Sequence, residues 1–364
     1  MLLIKILTVL VLLFLAVKLF FWLAPQFGSE PSRTRLENLA LASRYQDGKF
    51  KNLEETPVLL PKSYSKLIRK QFKKNPGRIP EHILPSLKPD LDLNNTNPEL
   101  SVIWLGHSTV LLRMEGVTII TDPVFGKRAS PVSFVGPKPF PTSSQITLDD
   151  LPALDIVLIS HDHFDHLDYR TIKRIHSEVK KFIVPLGVRD HLEKWGVDPE
   201  KISESDWGEA IDYSTLHFIC TPARHFSGRR KQNNSTLWCS WVIQTDSLKI
   251  FYCGDSGYGN HFTDIGNQYG PFDFTLMESG AYGPYWPYIH MVPEETVRAH
   301  IDLKGRVLLP IHWGKYNLAF HPWKEPIIRL AKAANDNQIT LATPVIGELV
   351  TPEKIPSVHW WEDL

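Results

Sequence analysis

Seven consecutive residues limit this chain more than any other part of it. They are Ser160-His161-Asp162-His163-Phe164-Asp165-His166, at the end of an apolar run over 156–160 that reads as a buried strand. Three imidazoles and two carboxylates within six residues suit a loop that folds around cations. Neutral imidazole and carboxylate are the preferred ligands of zinc and its neighbours. At this histidine frequency the pattern arises by chance on the order of once in a thousand such chains. A histidine tract binding adventitious metal is the alternative, and it predicts no partners downstream. Partners follow: His225 in Thr221-Pro222-Ala223-Arg224-His225, Asp255 in Cys253-Gly254-Asp255, and His312 in Pro310-Ile311-His312. Each comes at or just after a strand end, and ligands at successive strand ends converge on one edge of an α/β sheet. A lone histidine at any of these places is more often structural. The joint occurrence with the cluster reverses that expectation.

The remaining composition narrows the class. The chain has 364 residues, 40 basic and 40 acidic side chains and 15 histidines. Zero net charge argues against a nucleic-acid partner, which usually demands a basic excess. Three cysteines cannot pair completely, which rules out a disulfide scaffold. The length allows two domains or one α/β unit of about 250 residues with additions.

Residues 2–24 are apolar except for Lys5, Thr8 and Lys18. A helix of about 20 such residues spans a bilayer. A cleaved signal peptide is the competing reading, but Trp22 stands two residues before the only reasonable cleavage point, Ala24, where a small residue is wanted. An uncleaved single-pass anchor over 1–28 is therefore expected. Arg33, Arg35, Arg44, Lys49 and Lys51 beyond it, and three unpaired cysteines, lean towards a cytoplasmic catalytic domain. Residues 29–98 form a lead-in rich in proline and polar side chains. Within it, 62–78 holds seven basic residues (Lys62, Lys66, Arg69, Lys70, Lys73, Lys74, Arg78) and no acid. Tyr64, Leu67, Ile68 and Phe72 interleave at roughly helical spacing. Such a segment either lies on anionic headgroups or packs its apolar side on the domain.

From residue 99 the pattern becomes that of a layered α/β domain running to 364. Strands are predicted over 102–105, 109–113, 117–121, 156–160, 182–184, 216–220, 238–244, 249–253, 274–277 and 307–311. Helices are predicted over 169–179, 188–195, 293–301 and 326–335.

The set His161, His163, Asp165, His166, His225, Asp255 and His312 resembles the binuclear site of metallo-β-lactamase-fold hydrolases, over about residues 100–350. Further motifs are similar to the N-acylphosphatidylethanolamine-hydrolysing phospholipase D family: Trp104-Leu105-Gly106-His107-Ser108, Thr121-Asp122-Pro123-Val124-Phe125, Ala129-Ser130-Pro131 with Gly136-Pro137-Lys138, Gly280-Ala281-Tyr282 and His290-Met291-Val292-Pro293-Glu294-Glu295. The upstream run Tyr45-Gln46-Asp47-Gly48-Lys49-Phe50-Lys51-Asn52 has the same look. The resemblance implies an αββα sandwich, which would follow the N-terminal transmembrane helix expected from the apolar run. It implies that His161, His163 and His225 hold one Zn2+, that Asp165, His166 and His312 hold a second, and that Asp255 bridges them. Iron or manganese would suit the same ligands. Two metals about 3.5–4 Å apart lower the pKa of a shared water towards neutrality, and that water would attack phosphorus. The products would be an N-acylethanolamine and phosphatidic acid, from a membrane phospholipid substrate. The chain has no His-x-Lys pair, which excludes the phosphohistidine type of phospholipase D.

Asp165 and His290 are the expected catalytic residues, His290 contacting the substrate phosphate or protonating the leaving oxygen. A cap on the following helix is the bland alternative for His290. His107 is expected to orient a ligand or to be a buried structural histidine, and Asp122 to be a turn residue or an acceptor behind a ligand. Tyr282 and Trp286, with Tyr285 and Tyr288, crowd the run before His290 and suit an acyl-chain entrance; ordinary core packing accounts for about half of such rings. His82, His176, His191, His217, His261, His300 and His359 have no motif partners and read as structural or surface residues. Two rival readings stand beside the phosphodiesterase: a hydrolase of another substrate, such as a lactone, on the same site, and a non-catalytic membrane protein stabilised by metal. The second could lose ligands without harm, yet all seven positions are filled.

Overall fold

The computed structural model describes residues 1–61, 63–72, 76–89, 99–229 and 233–364. Its first element is the helix α1, Leu2–Leu23. At 1.5 Å per residue it is about 33 Å long, enough for the roughly 30 Å hydrocarbon core of a bilayer. Every α1 side chain whose burial is described is exposed, so no face of the helix is buried along its length. It is the one span among the described residues long and apolar enough to cross a membrane.

The lead-in is more structured than its composition suggests. It carries α2 (Arg33–Leu39), a hairpin of β1 (Tyr45–Gln46) and β2 (Lys49–Phe50), and α3 (Tyr64–Phe72). Lys62, Lys73 and Lys74 of the basic stretch lie outside the described residues. Leu39 and Phe50 are buried with Ala223, Leu237 and Trp238 of the following domain. The boundary expected at residue 99 therefore does not separate two packing units, because short-range periodicity does not register an apolar residue that packs on a distant segment.

The body is two seven-stranded sheets. The first holds β3 (Leu100–Trp104), β4 (Val110–Met114), β5 (Val117–Thr121), β6 (Ile156–Leu158), β7 (Lys181–Pro185) and β8 (Ile202–Ser205). The second holds β9 (Ala210–Tyr213), β10 (Leu216–Thr221), β11 (Ser240–Gln244), β12 (Lys249–Tyr252), β13 (Phe272–Glu278), β14 (Gly305–Ile311) and β15 (Thr340–Leu341). The last strand, β16 (Leu349–Val350), returns to the first sheet beside β3. Each sheet opens as an antiparallel meander and ends in parallel steps: β5 to β8 in the first, β12 to β15 in the second. Parallel steps need crossovers. The helices α4 (Tyr169–Ile175) and α5 (Arg189–Lys194) fall between strands of the first sheet. The helices α6 (His261–Gln268), α7 (Pro293–Asp302) and α8 (Glu325–Asp336) fall between strands of the second.

Strand alternation explains the layers. Val102, Trp104, Val110, Leu112, Ile119, Ile156 and Leu158 share a core with Phe218, Trp241 and Ile250 of the opposing sheet. Their neighbours Ile103, Leu111, Ile120, Val157 and Ile159 face the other way, onto Ile172 and Ile175 of α4 and Leu192 and Trp195 of the α5 region. Both faces of the first sheet are thus covered, as the near-continuous apolar runs of parallel strands require. The result is the αββα sandwich. Parallel strands of both sheets end at one edge, and the polar cluster sits there.

Candidate metal centre

The histidine loop leaves β6 and closes on itself. The amides of His166 and Leu167 both donate to His163 O, at 3.0 and 2.8 Å. That tight turn brings the loop's own side chains together, and loops after β10, β12 and β14 supply the rest.

Two groups of donors form. His163 Nδ1 lies 2.9 Å from His161 Nε2 and 3.3 Å from His225 Nε2. Asp165 Oδ2 lies 3.6 Å from His166 Nε2 and 3.7 Å from His312 Nε2. Asp255 Oδ2 stands between the groups, 3.9 Å from His161 Nε2, 3.7 Å from His225 Nε2 and 3.2 Å from both His166 Nε2 and His312 Nε2. All seven residues named in the sequence analysis are therefore assembled in one place.

Hydrogen bonds behind the ring orient them. His166 Nδ1 donates to Asp122 Oδ2 at 2.7 Å, and His225 Nδ1 to Ile289 O at 2.8 Å. His161 Nδ1 lies 2.9 Å from Ser160 Oγ, whose own proton goes to Asp122. These partners assign the tautomers, so three Nε2 lone pairs face the interior. The Nε2 atoms of His166 and His312 and Oδ1 of Asp255 are buried without a hydrogen-bond partner among the described residues. A buried polar atom left unpaired costs about 1–3 kcal/mol. Several in one cluster are accounted for if a cation is the missing partner, so the residues fit a pair of divalent metals.

Charge is arranged to match. Burial pushes His161 well below the usual range, as do the neighbouring imidazoles. Burial alone would also depress His166, but Asp255 and Asp165 raise it well above the usual range. In the same way Asp255 and Asp165 overcome burial at His312 and raise it to about 9. Without a metal, the carboxylates thus draw positive charge onto His166 and His312, the place that a bound cation would take.

Backbone strain collects here as well. His107, Asp122 and His312 have φ of 56°, 35° and 63°, a region that side-chain-bearing residues rarely occupy. A cradle made elsewhere holds them. His312 N donates to His107 O at 2.9 Å, and Trp104 Nε1 reaches the same oxygen at 2.8 Å.

His107 is buried against Asp165, one of the seven donors. Burial lowers its pKa to about 3, so the ring is neutral, and its Nε2 donates to Asp165 Oδ2 at 3.0 Å. Asp122 is the acceptor behind His166 and also takes the hydroxyl of Tyr252 at 2.6 Å. His290 stands at the rim, its ring 5.2 Å from that of His312 and 5.1 Å from that of His225. Its Nδ1 is 3.3 Å from Glu278 Oε2.

The cleft beside the donors has a volume of about 290 Å³ and includes Val58, Leu59, Trp286, Ile289, His290 and Leu318 in its lining. Trp286 is positioned there by its indole N–H to Ala281 O, 2.7 Å. Tyr282 is not, which corrects the expectation drawn from the sequence. Its ring stacks on His321 at 4.4 Å and its hydroxyl donates to Glu325 Oε1 at 2.8 Å, so it joins the loop to α8. An aromatic run shows which rings are near one another in sequence but not which of them find a polar partner elsewhere.

Two contributors escape the sequence reading. Glu278 ends β13 fully buried, accepts the amide of Met291 at 2.6 Å and holds His290. Burial raises its pKa. Its signal was its place at a strand end, like the ligands. Asn52, from the lead-in, accepts from His225 N at 3.1 Å and donates to His225 O at 2.7 Å, so one amide fixes both sides of a ligand's peptide. His191 is likewise engaged, its Nε2 lying 3.3 Å from Asp162 Oδ2.

The family described as β-lactamase superfamily domain matches residues 117–313, which contain every donor named above. The chain belongs to that superfamily, and it is a metal-dependent hydrolase. It is 41% identical over 324 residues to an uncharacterized protein of Mycobacterium tuberculosis, covering 87% of each chain. It is 38% identical over 232 residues to the N-acyl-phosphatidylethanolamine-hydrolyzing phospholipase D 1 of Caenorhabditis elegans, covering 60% of this chain and 64% of that one. Among solved structures it is similar in fold to Igni18, a metallo hydrolase of Ignicoccus hospitalis, with a TM-score of 0.54 and 22% identity over 69% of this chain and 97% of that one.

Proposed function

We propose that the chain is a membrane-anchored binuclear zinc phosphodiesterase that hydrolyses N-acylphosphatidylethanolamine to N-acylethanolamine and phosphatidic acid. The observation that carries the reading is the position of Asp255 Oδ2 within 3.2–3.9 Å of nitrogens from both donor groups, since a bridging carboxylate is what a two-metal phosphodiesterase needs. Similarity to the nematode phospholipase D supports the substrate class.

His161, His163 and His225 would hold one ion, and Asp165, His166 and His312 the other. Two such ions would supply Lewis acidity to the phosphoryl oxygens and acidify a nearby water. Asp165, fixed by His107, orients that water and accepts its proton. His290 protonates the leaving oxygen of the N-acylethanolamine, with Glu278 holding the ring from behind through Nδ1. Val58, Leu59, Leu318 and Trp286 give the cleft an apolar wall suited to acyl chain.

The membrane reading rests on α1 and on α3. On α3, Ile68 is 61% exposed among the basic residues Lys66, Arg69 and Lys70. An apolar tip among cations suits an anionic lipid surface. Positive charges following α1 favour a cytoplasmic catalytic domain.

The test is a purified full-length protein assayed in mixed micelles of N-acylphosphatidylethanolamine. Release of N-acylethanolamine, abolished by chelator and restored by zinc, is the expected result. Intact lipid together with hydrolysis of a soluble lactone would overturn the assignment.

A further inference from the structure

The end of α1 does not simply tether the domain. It is bolted to the histidine loop. After α1 the chain makes one 3-10 turn, Pro25–Phe27, and Phe27 is buried. The Phe27 ring meets Phe164, the residue between His163 and Asp165, edge to face at 6.1 Å. On the α1 side it contacts Phe21 at 4.8 Å and Phe20 at 5.8 Å. Trp195 Nε1 donates to Pro25 O at 2.7 Å, and Lys194 Nζ to Gly28 O at 2.9 Å. Gly28 has φ of 75°, and a Cβ there would lie 2.4 Å from the His191 ring. The close approach is therefore built into the backbone.

Arg229 joins these parts. Its guanidinium is buried and stacks 4.2 Å from the centre of the Phe164 ring. Its Nη1 donates to Asp162 O at 2.6 Å and to Leu167 O at 2.7 Å. Those two carbonyls bracket the run from His163 to His166, which carries three of the seven donors. Its Nε and Nη2 donate to Gln26 O at 3.1 and 2.9 Å. Burial lowers its pKa only to about 10, so the group keeps its charge at neutral pH. The planar fork makes four bonds to three carbonyls from three separate nitrogens, one more than the three N–H groups of a single ammonium can make.

We propose that Arg229 is a positioning residue that clamps the end of the apolar helix to both ends of the histidine loop, so that metal retention depends on the docking of Phe27. The inference stands whichever substrate the site takes.

The experiment uses the full-length protein in detergent, with Phe27→Ala, Arg229→Gln and Arg229→Lys. Hydrogen exchange is read at the amides of His166 and Leu167, which close the loop on His163 O, and at β13 as a reference. Zinc retained against a chelator is measured in parallel. All three variants are expected to exchange the loop amides about tenfold faster or more, the scale of losing a charged hydrogen bond or its support, and to release zinc faster, with β13 unchanged. Should Arg229→Gln fail to fold, Phe27→Ala decides the matter alone. Loop exchange and zinc retention at the wild-type level in Phe27→Ala would overturn the clamp, as would an equal rise in β13. Wild-type loop protection in Arg229→Lys would overturn the role of the fork.

Discussion

In the proposed reaction, individual side chains at this centre divide their labour between holding the ions and handling protons. There His290 carries a proton, held at Nδ1 by Glu278, yet its ring also comes within metal-holding reach of His225 and Asp255, so the two roles must be separated by experiment. His290→Gln should lower turnover by about 10²-fold or more, the usual worth of a general acid, with both metals still bound by elemental analysis. Loss of metal in that variant would place His290 among the ligands instead. The seven donors could be read from the chain because each follows a strand and four lie within one short loop. Glu278 and Asn52 could not. A single carboxylate after an apolar strand looks like any turn residue, and an asparagine in a polar stretch carries no sign that it will meet His225.

Elements show the same division. Long apolar strands such as β13 and β14 are visible in sequence because both faces are buried. The strands β8 and β9, rich in polar residues, are not, and neither is α6, whose pattern is interrupted by Gly266. The hairpin β1–β2 was visible as a motif, but its task was not. It delivers Phe50 to a buried cluster and leads directly to Asn52. Asn52→Ala should strip the peptide of His225 of two bonds and cost about 1–3 kcal/mol. Urea unfolding and zinc retention should both decline, while Asn52→Asp, which keeps the acceptor, should lose less. An unchanged zinc affinity in Asn52→Ala would mean that the lead-in packs on the site without supporting it.

Taken whole, the molecule carries an acid-sensitive core outside the metal centre. Burial lowers His261 to about 3 and His300 to about 4, against about 6.5 in an unfolded chain. The unfolded state therefore binds these protons first as pH falls. Their stabilising share is complete above about 6.5 and is lost progressively down to the folded values. For His300 alone that amounts to about 2 kcal/mol between pH 7.5 and 5. In metal-stripped protein, urea midpoints measured at those two pH values should separate, and His300→Gln should narrow the gap. An unaltered gap would place the sensitivity elsewhere. The whole chain also has an order of completion. The strand β16, from the far end of the sequence, lies against β3, among the first strands made. His312 likewise comes late. On a ribosome, most of the first sheet would be made long before β16 covers its edge or His312 joins the other donors. The nascent chain must therefore wait, half-built and open-edged, for its own last segment, and that interval is where a chaperone or a quality-control protease would find it.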